Sequence, residues 1–284
     1  MTLTVTVIAP GMMGSAVGKR LSTAGVRVLT ALAGRSAATR TRAEACGMAD
    51  ATDAQIAASD FILSIVPPGE AMGLAERLSP ALRQSARKPV YVDCNAISPD
   101  TVLKIAAVVQ DTGARFVDGG IIGPPPEPDS SKTRLYVSGP DAISVTVLEQ
   151  HGLSVPVQPG PIGAASAMKM SYAGITKGFQ ALATVMLLGA TRAGTADALL
   201  AEMQVSQPAL LRWLAGQLPK MPPKAYRWVA EMEEIATFVH ADPAGAAFYQ
   251  SAARLYERIA ADEAAGGTEV TALETFCRKA SEAT

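Results

Sequence analysis

The stretch that most constrains this chain is residues 3–18, Leu-Thr-Val-Thr-Val-Ile-Ala-Pro-Gly-Met-Met-Gly-Ser-Ala-Val-Gly. Leu3 to Ile8 is a short apolar run rich in β-branched residues, the pattern of a strand buried on both faces of a parallel sheet. Ala9-Pro10-Gly11 makes a tight turn, a helix starts near Met12, and Gly25 suits the left-handed position just past the helix end. Val26 to Leu32 is the next strand. Strand, small-residue turn, helix and strand in this order bring backbone N–H groups and a helix N-terminus to one point, where a pyrophosphate can sit.

The turn is a variant of the dinucleotide fingerprint G-x-G-x-x-G, with Ala9, Gly11 and Gly14 at the three glycine positions. Ala9 is tolerated there if its φ is negative. Gly11 lets a phosphate approach the backbone, and Gly14 permits close helix–strand packing. The motif gains weight from its place, directly after a strand and at the opening of a helix. Pro10, Gly11, Met12, Met13 and Gly14 are therefore expected to line a dinucleotide; a merely structural turn is the alternative.

No acidic residue precedes Glu44. An NAD site usually has an Asp or Glu about 20 residues past the glycine turn, where it binds the ribose 2′-OH. Here that place holds Ala33-Gly34-Arg35-Ser36, with Arg40 one turn into the next helix. Arg35 and Ser36 suit a 2′-phosphate, the arginine through a charge-assisted fork. The expected cofactor is NADP(H); a solvated arginine at a helix start is the other reading.

Residues 37–46 are expected to be helical and 47–49 a short strand. Asp60 to Val66 is the next buried strand and ends at Pro67-Pro68-Gly69. Pro89 to Asp93 is another, followed by Cys94-Asn95-Ala96-Ile97-Ser98-Pro99, in which Ser98 caps a helix and Pro99 takes its first turn. Arg115 to Asp118 begins a further strand, and Arg134 to Gly139 another. Strands alternating with helices over about 155 residues imply an α/β domain with a doubly wound, mostly parallel sheet. Ligands in such sheets lie beyond the carboxyl ends of the strands. That rule gathers Ala9 to Gly14, Val66 to Gly69 with Val66 and Pro67 on the cofactor, Asn95, and the stretch from Gly119 to Pro126 around one crevice.

Past Gly160 the pattern becomes helical almost throughout, so a Rossmann domain is expected over 1–160 and an all-α domain over 161–284. The first helix of the second domain runs from Gly163 to about Ala193, roughly 45 Å. It is small or apolar on nearly all sides, as for a helix buried between domains or subunits. Further amphipathic segments fall near 195–218, 224–239, 243–264 and 268–281.

Composition excludes several function classes. A net charge of −1 gives no nucleic-acid or anionic-membrane surface. Cys46, Cys94 and Cys277 lack metal spacing and read as reduced thiols of a cytoplasmic protein. His151 and His240 are the only histidines, so no metal site is expected. No basic leader precedes the first strand, so no signal peptide is expected, and no uninterrupted apolar run reaches membrane-spanning length.

The stretch with chemistry is Gly160-Pro-Ile-Gly163-Ala-Ala-Ser-Ala-Met-Lys169-Met-Ser-Tyr172-Ala-Gly-Ile-Thr-Lys177. A lysine in an apolar helix either snorkels to solvent or faces a cleft. In a cleft, the Lys169 ammonium can hydrogen-bond a carbonyl oxygen and donate a proton as hydride arrives. Tyr172 lies three residues on, along the same helix face. Lys177, two turns beyond Lys169, is expected to tolerate alanine.

These pieces together resemble the β-hydroxyacid dehydrogenase and 6-phosphogluconate dehydrogenase-like superfamily over essentially the whole chain. They are Ala9-Pro-Gly11-Met-Met-Gly14, Gly34-Arg35-Ser36, Ser64-Ile-Val-Pro67, Asp93-Cys-Asn95-Ala-Ile-Ser98-Pro99, Phe116-Val-Asp-Gly-Gly-Ile-Ile-Gly123 and Gly160 to Lys169. The resemblance implies a Rossmann domain, a helical domain interlocked in a homodimer, an active site between domains, and Lys169 as general acid/base.

Three departures bear on the substrate. Asn95-Ala96 replaces the family's Ser-Thr pair, and Ile122-Gly123-Pro124 replaces its Ser-Gly-Gly loop. Tyr172-Ala173 stands where an asparagine usually follows the lysine. Asn95 is then a contact to nicotinamide or substrate, Ile122, Gly123 and Pro124 are substrate contacts and Tyr172 is a hydroxyl donor, with a small 3-hydroxy acid a poor fit. The stretch Tyr226 to Ile235 looks like the variant helical domain of uncharacterised relatives, and its Glu231, Glu233 and Glu234 read as a solvated face, with reach into the pocket the alternative. The expected activity is NADP(H)-dependent hydride transfer at a hydroxyl or carbonyl carbon of a small molecule. Imine reduction or reductive amination on the same scaffold and a non-catalytic NADPH sensor are the rivals.

Overall fold

The computed structural model describes residues 2–127 and 132–282. Its first part is a seven-stranded sheet of β1 (Thr4–Ile8), β2 (Arg27–Thr30), β3 (Met48–Asp50), β4 (Phe61–Ser64), β5 (Val90–Asp93), β6 (Arg115–Ile122) and β7 (Arg134–Ser138). The strand order is β3-β2-β1-β4-β5-β6-β7. Every neighbouring pair is parallel except the last, β6 with β7, where Asp118 faces Ser138 and Ile122 faces Arg134. The direction of winding reverses between β1 and β4, which opens a crevice past their carboxyl ends.

Helices α1 (Met12–Thr23), α2 (Ala37–Ala45), α3 (Asp53–Ala57), α4 (Ala71–Gln84) and α5 (Pro99–Gln110) connect the parallel strands. Alternation within the strands feeds two apolar layers. Val5, Val7, Val28, Leu63 and Val92 join Val17 and Leu21 of α1 on one face. Ile8, Ile62, Tyr91 and Phe116 join Leu74 and Leu78 of α4 and Ile105 of α5 on the other. Tyr91 stacks on Phe116 with ring centroids 5.9 Å apart. Ser98 caps α5 by accepting from Thr101 N–H, with Pro99 in its first turn, as the sequence predicts. Residues 142–151, which gave no signal, form a 3₁₀ segment closed by left-handed Gly152.

Helix α6 (Ala164–Arg192) follows, then α7 (Ala196–Ser206), α8 (Pro208–Gln217), α9 (Ala225–Phe238), α10 (Pro243–Ala264) and α11 (Thr268–Glu282). The chain divides into two compact units between Met170 and Ser171, beyond the change of sequence pattern at residue 160. The start of α6 belongs to the sheet unit because its N-terminal turn is hydrogen-bonded to β6 and β7 side chains. By length and composition α6 can cross a membrane, contrary to the reading of the sequence, with mean hydropathy 1.2 over its most apolar window. Half of that window is buried within the protein, as in a core helix.

In the second unit, Gly174 and Gly178 leave room for Tyr249 of α10, whose ring would meet a Cβ at either position. Lys177 of α6 is ion-paired to Glu231 of α9, and its ammonium lies 4.9 Å from the centre of the Trp228 ring. Tyr256, fully buried, donates to Lys177 O at 2.5 Å and packs edge-on against Trp228. Lys177 is therefore an internal strut, a role in stability that the sequence did not signal. Glu231 likewise leaves the solvated acidic face assigned to it. With the two side chains 19% and 15% exposed, Lys177→Ala strips a largely buried carboxylate of its cation. We expect a loss of about 2 kcal/mol, discounted for partial exposure, measurable as a lower urea midpoint at unchanged slope.

Candidate active site

The glycine turn closes β1 onto α1. Gly11 N–H donates to Ala9 O at 2.8 Å and Ser15 Oγ donates to Pro10 O at 2.9 Å. Among the described residues no residue other than glycine has a positive φ, so Ala9 meets the condition set for it. A Cβ on Gly14 would lie 2.0 Å from Ala9 O, whereas one on Gly11 would meet nothing within 4 Å. Gly14 thus serves packing, and Gly11 leaves an open approach. The α1 N-terminus has no side-chain cap and no acidic residue in its first turn. Its N–H groups therefore remain free to bind an anion. Met12 is exposed and Met13 packs partly against the core. These features fit a dinucleotide pyrophosphate.

Past β2, Ser36 caps α2 by accepting from Thr39 N–H. Arg35 is exposed, with its guanidinium 4.0 Å from the Glu70 carboxylate. Arg40 is drawn away: it donates to Leu32 O at 2.6 Å and pairs with Asp50 at 3.8 Å. Arg42, which the sequence did not single out, reaches Pro10 O at 3.3 Å and braces the glycine turn. Register sets Asp50 of β3 beside Thr30 of β2, so an acid does stand near the end of β2. Its Oδ1 accepts from Leu32 N–H at 2.9 Å, which with Arg40 occupies it.

At the ends of β4 and β5 a polar cluster is buried. Asn95 Oδ1 accepts from Val66 N–H at 2.7 Å, and its Nδ2 donates to Ser64 Oγ at 2.9 Å. At 2% exposure, the Asn95 side chain is a brace between the two strand ends. Its backbone does something else: Lys169 Nζ donates to Asn95 O at 3.1 Å and to Cys94 O at 3.3 Å. Pro67 is exposed beside this brace. Tyr172 falls in the second unit and is 53% exposed.

Lys169 is placed by Asp118 of β6. The fully buried Asp118 carboxylate accepts from Gly163 N–H, Ser166 N–H and Ser138 Oγ on Oδ2 at 2.9–3.0 Å, and from Ser166 Oγ on Oδ1 at 2.6 Å. Ser138 Oγ also accepts from Ala165 N–H at 2.9 Å. Gly120 lets the helix lie this close, since a Cβ there would press on Ala165 O and Lys169 Cβ. The sequence reading missed Asp118 and Ser166 as partners; the signal was an acid inside an apolar strand. The strand extends to Ile122, so only Gly123 and beyond project past it. Gly123 has φ +123° and Pro124 O accepts from Thr133 Oγ1. Among the described residues no group of three or more His, Cys, Asp or Glu could hold a metal.

Asp93, at the end of β5, is 1% exposed. Its Oδ1 accepts from Asn95 N–H at 3.0 Å, and its Oδ2 has no partner. Burial pushes this carboxyl up to about 7, with the Asn95 bonds and Lys169 opposing and Asp118 adding to the rise. Between roughly pH 4 and 7 the folded chain then holds a proton that the unfolded chain has released, so Asp93 lowers stability as pH rises through that window. Asp93→Asn keeps an acceptor for Asn95 N–H without the buried charge. Thermal unfolding should show the variant more stable than wild type at pH 8, by about 2 kcal/mol, with the difference shrinking toward pH 4.

Comparison with known proteins gives a consistent placement. The NAD binding domain of 6-phosphogluconate dehydrogenase matches residues 4–150, and a domain of unknown function, DUF1932, matches residues 190–259. An uncharacterised 28.5 kDa protein in the 7S RNA 5′ region of Methanothermus fervidus is 30% identical over 177 residues, 62% of this chain and 66% of its own length. The match thus spans just under two thirds of that relative. A solved conserved protein of unknown function, with structural similarity to 3-hydroxyacid dehydrogenases, is 27% identical over 94% of this chain and all of its own, with a TM-score of 0.69. Mycobacterium tuberculosis 3-hydroxyisobutyrate dehydrogenase has the same fold, with 20% identity, 97% and 99% coverage and a TM-score of 0.70. So does an imine reductase from Myxococcus stipitatus in complex with NADP⁺, with 21% identity, 97% and 99% coverage and a TM-score of 0.54. The chain therefore belongs to the family of the 6-phosphogluconate dehydrogenase NAD binding domain, with a hydroxyacid dehydrogenase-like NAD(P)-binding fold followed by a helix-rich C-terminal part.

Proposed function

We propose that the protein is an NADP(H)-dependent oxidoreductase that moves hydride between nicotinamide and the hydroxyl or carbonyl carbon of a small substrate. The observation that carries this reading is the Lys169 ammonium, held by the Cys94 and Asn95 carbonyls past the end of β5. The dinucleotide, when bound, supplies or accepts the hydride; Gly11 and the uncapped N-terminus of α1 are the residues that suit it.

Hydride reaching a carbonyl carbon leaves negative charge on the oxygen. The Lys169 ammonium stabilises that charge and donates the proton; in the reverse direction the neutral amine removes it. Two backbone dipoles aim the ammonium. Addition to an iminium carbon produces a neutral amine and no oxyanion, so this placement suits a carbonyl better than an imine. Asn95 supports the site through its backbone and its brace to Ser64. Tyr172 offers a hydroxyl as a second donor, and Gly123 and Pro124, just past the end of β6 at Ile122, supply the substrate-side loop.

The exposed Arg35–Glu70 pair is weak, which leaves the guanidinium available to a 2′-phosphate. NADPH is expected to bind at least tenfold tighter than NADH, about 1.4 kcal/mol, and Arg35→Ala to erase most of the difference; equal dissociation constants in the wild type overturn the assignment. Turnover is found by screening NADP⁺ and NADPH against hydroxy acids, aldehydes, ketones and amine–carbonyl pairs. Lys169→Ala should then lower kcat by about 10²–10⁴ with NADPH affinity little changed, and Tyr172→Phe should cost less. A Lys169→Ala enzyme with full kcat removes the lysine from the mechanism.

Assembly is part of the same proposal. Tyr172, Ile175, Phe179, Leu182 and Met186 are exposed on α6 at three- and four-residue spacing, a continuous apolar stripe of the kind that packs against another helix. We expect a homodimer through the helical domains, and a monomer mass by light scattering at micromolar concentration counts against it.

A further inference from the structure

We propose that Asp93 is a positioning residue for Lys169: it shapes the Cys94–Asn95 turn whose carbonyls hold the ammonium, and its carboxylate charge favours the protonated lysine. The turn is the geometric part. Asp93 Oδ1 accepts from Asn95 N–H two residues on, the Asx arrangement that folds the backbone back on itself. Folded this way, the turn presents Cys94 O and Asn95 O to Lys169 Nζ. The Asn95 side chain pins the far side to Val66 and Ser64.

The charge exceeds what the turn requires. Asparagine or serine also accepts from an N–H two residues on, and neither buries a carboxylate. The two carboxylates near Lys169 also differ in how they are used. Asp118 spends both oxygens on four donors around the start of α6. Asp93 has one buried oxygen with no hydrogen-bond partner, an arrangement that costs stability and leaves the charge to act on its neighbours. Facing it are Tyr91 and Cys94 from its own strand and turn, Asp118 from β6 and Lys169 from α6. Arg77 of α4 acts on neighbouring Tyr91 and is itself paired with Asp53 at 3.4 Å. Lys169 is the cation whose charge opposes the rise in the Asp93 carboxyl.

The proposal rests on Lys169 as acid/base only for its consequence in turnover, so its test reads the lysine directly. Lysines of the intact protein are acetylated with trace acetic anhydride between pH 6 and 10, and each site is quantified by peptide mass spectrometry. In Asp93→Asn the Lys169 profile should move to lower pH, with acylation at pH 8 raised about threefold or more. Lys88 is the internal control: it is held by the Leu82, Arg83 and Thr112 carbonyls in the same unit and should keep its wild-type profile. Asp93→Ser, which retains an acceptor without charge, should behave like Asp93→Asn and stands in for it if that variant does not fold. A wild-type Lys169 profile in either folded variant overturns the proposal, as does an equal rise at Lys88, which marks general loosening. If Lys169→Ala retains full turnover while the labelling shift is seen, the acid/base reading falls and the coupling stands; the opposite pair of results sinks the coupling alone.

Discussion

The interaction on which the rest of the site depends is the seating of α6 on the Asp118 carboxylate. A helix N-terminus carries unsatisfied N–H groups and partial positive charge, and a buried carboxylate needs donors for its lone pairs. At residues 163–166 each meets the other's need. Gly163 N–H, Ser166 N–H, Ser166 Oγ and Ser138 Oγ all donate to Asp118. The bond is possible because Gly119 and Gly120 carry no side chains: a Cβ on either would strike backbone of the neighbouring strand or of α6. Lys169 lies three residues beyond Ser166, within one helical turn of the anchor. Its ammonium is therefore located by the sheet, even though it is carried on a helix that continues into the second unit.

The sheet order determines what the lysine can meet. With β1, β4 and β5 adjacent, the glycine turn, the Val66 backbone and the Cys94–Asn95 turn fall in sequence along one edge. The Asn95 side chain bridges β4 and β5 with two hydrogen bonds, so the carbonyls facing Lys169 are braced from both strands. The nucleotide end is more open. Gly11 leaves space, Arg35 is held by a long and exposed ion pair, and Asp50, the acid beside β2 on β3, is occupied by Leu32 N–H and Arg40. Precise placement is concentrated where a proton would move, and adaptable contacts lie where a large cofactor would enter.

The alternation of strands and helices, the capped start of α5 and the glycine turn were legible in the sequence because each rests on local chemistry: period, caps and φ. What escaped it depends on contacts between residues far apart in the chain. Asp118 to Ser166 spans 48 residues and Asp60 to Thr4 spans 56, and neither pairing leaves a periodic trace. The arrival of Asp50 beside β2 follows from strand register, which an acid count along the chain does not contain. Asn95 was legible as a functional position, but its side chain points into a brace and its backbone meets the lysine. The 3₁₀ segment at 142–151 lacks the 3.6-residue periodicity that marks an α-helix.

The two lysines of α6 show why residue type and helix position are insufficient to assign a role. Lys169 and Lys177 lie on one helix, eight residues apart, in similar small and apolar surroundings. Lys177 is matched to the Glu231 carboxylate and covered by Trp228. Ion pairing of this kind fixes the side chain, so it serves packing. Lys169 instead meets the backbone carbonyls of Cys94 and Asn95, whose dipoles orient the ammonium. The difference between the two lysines is thus set by what the fold brings to each ammonium: a carboxylate from α9 in one case and the bend at the end of β5 in the other.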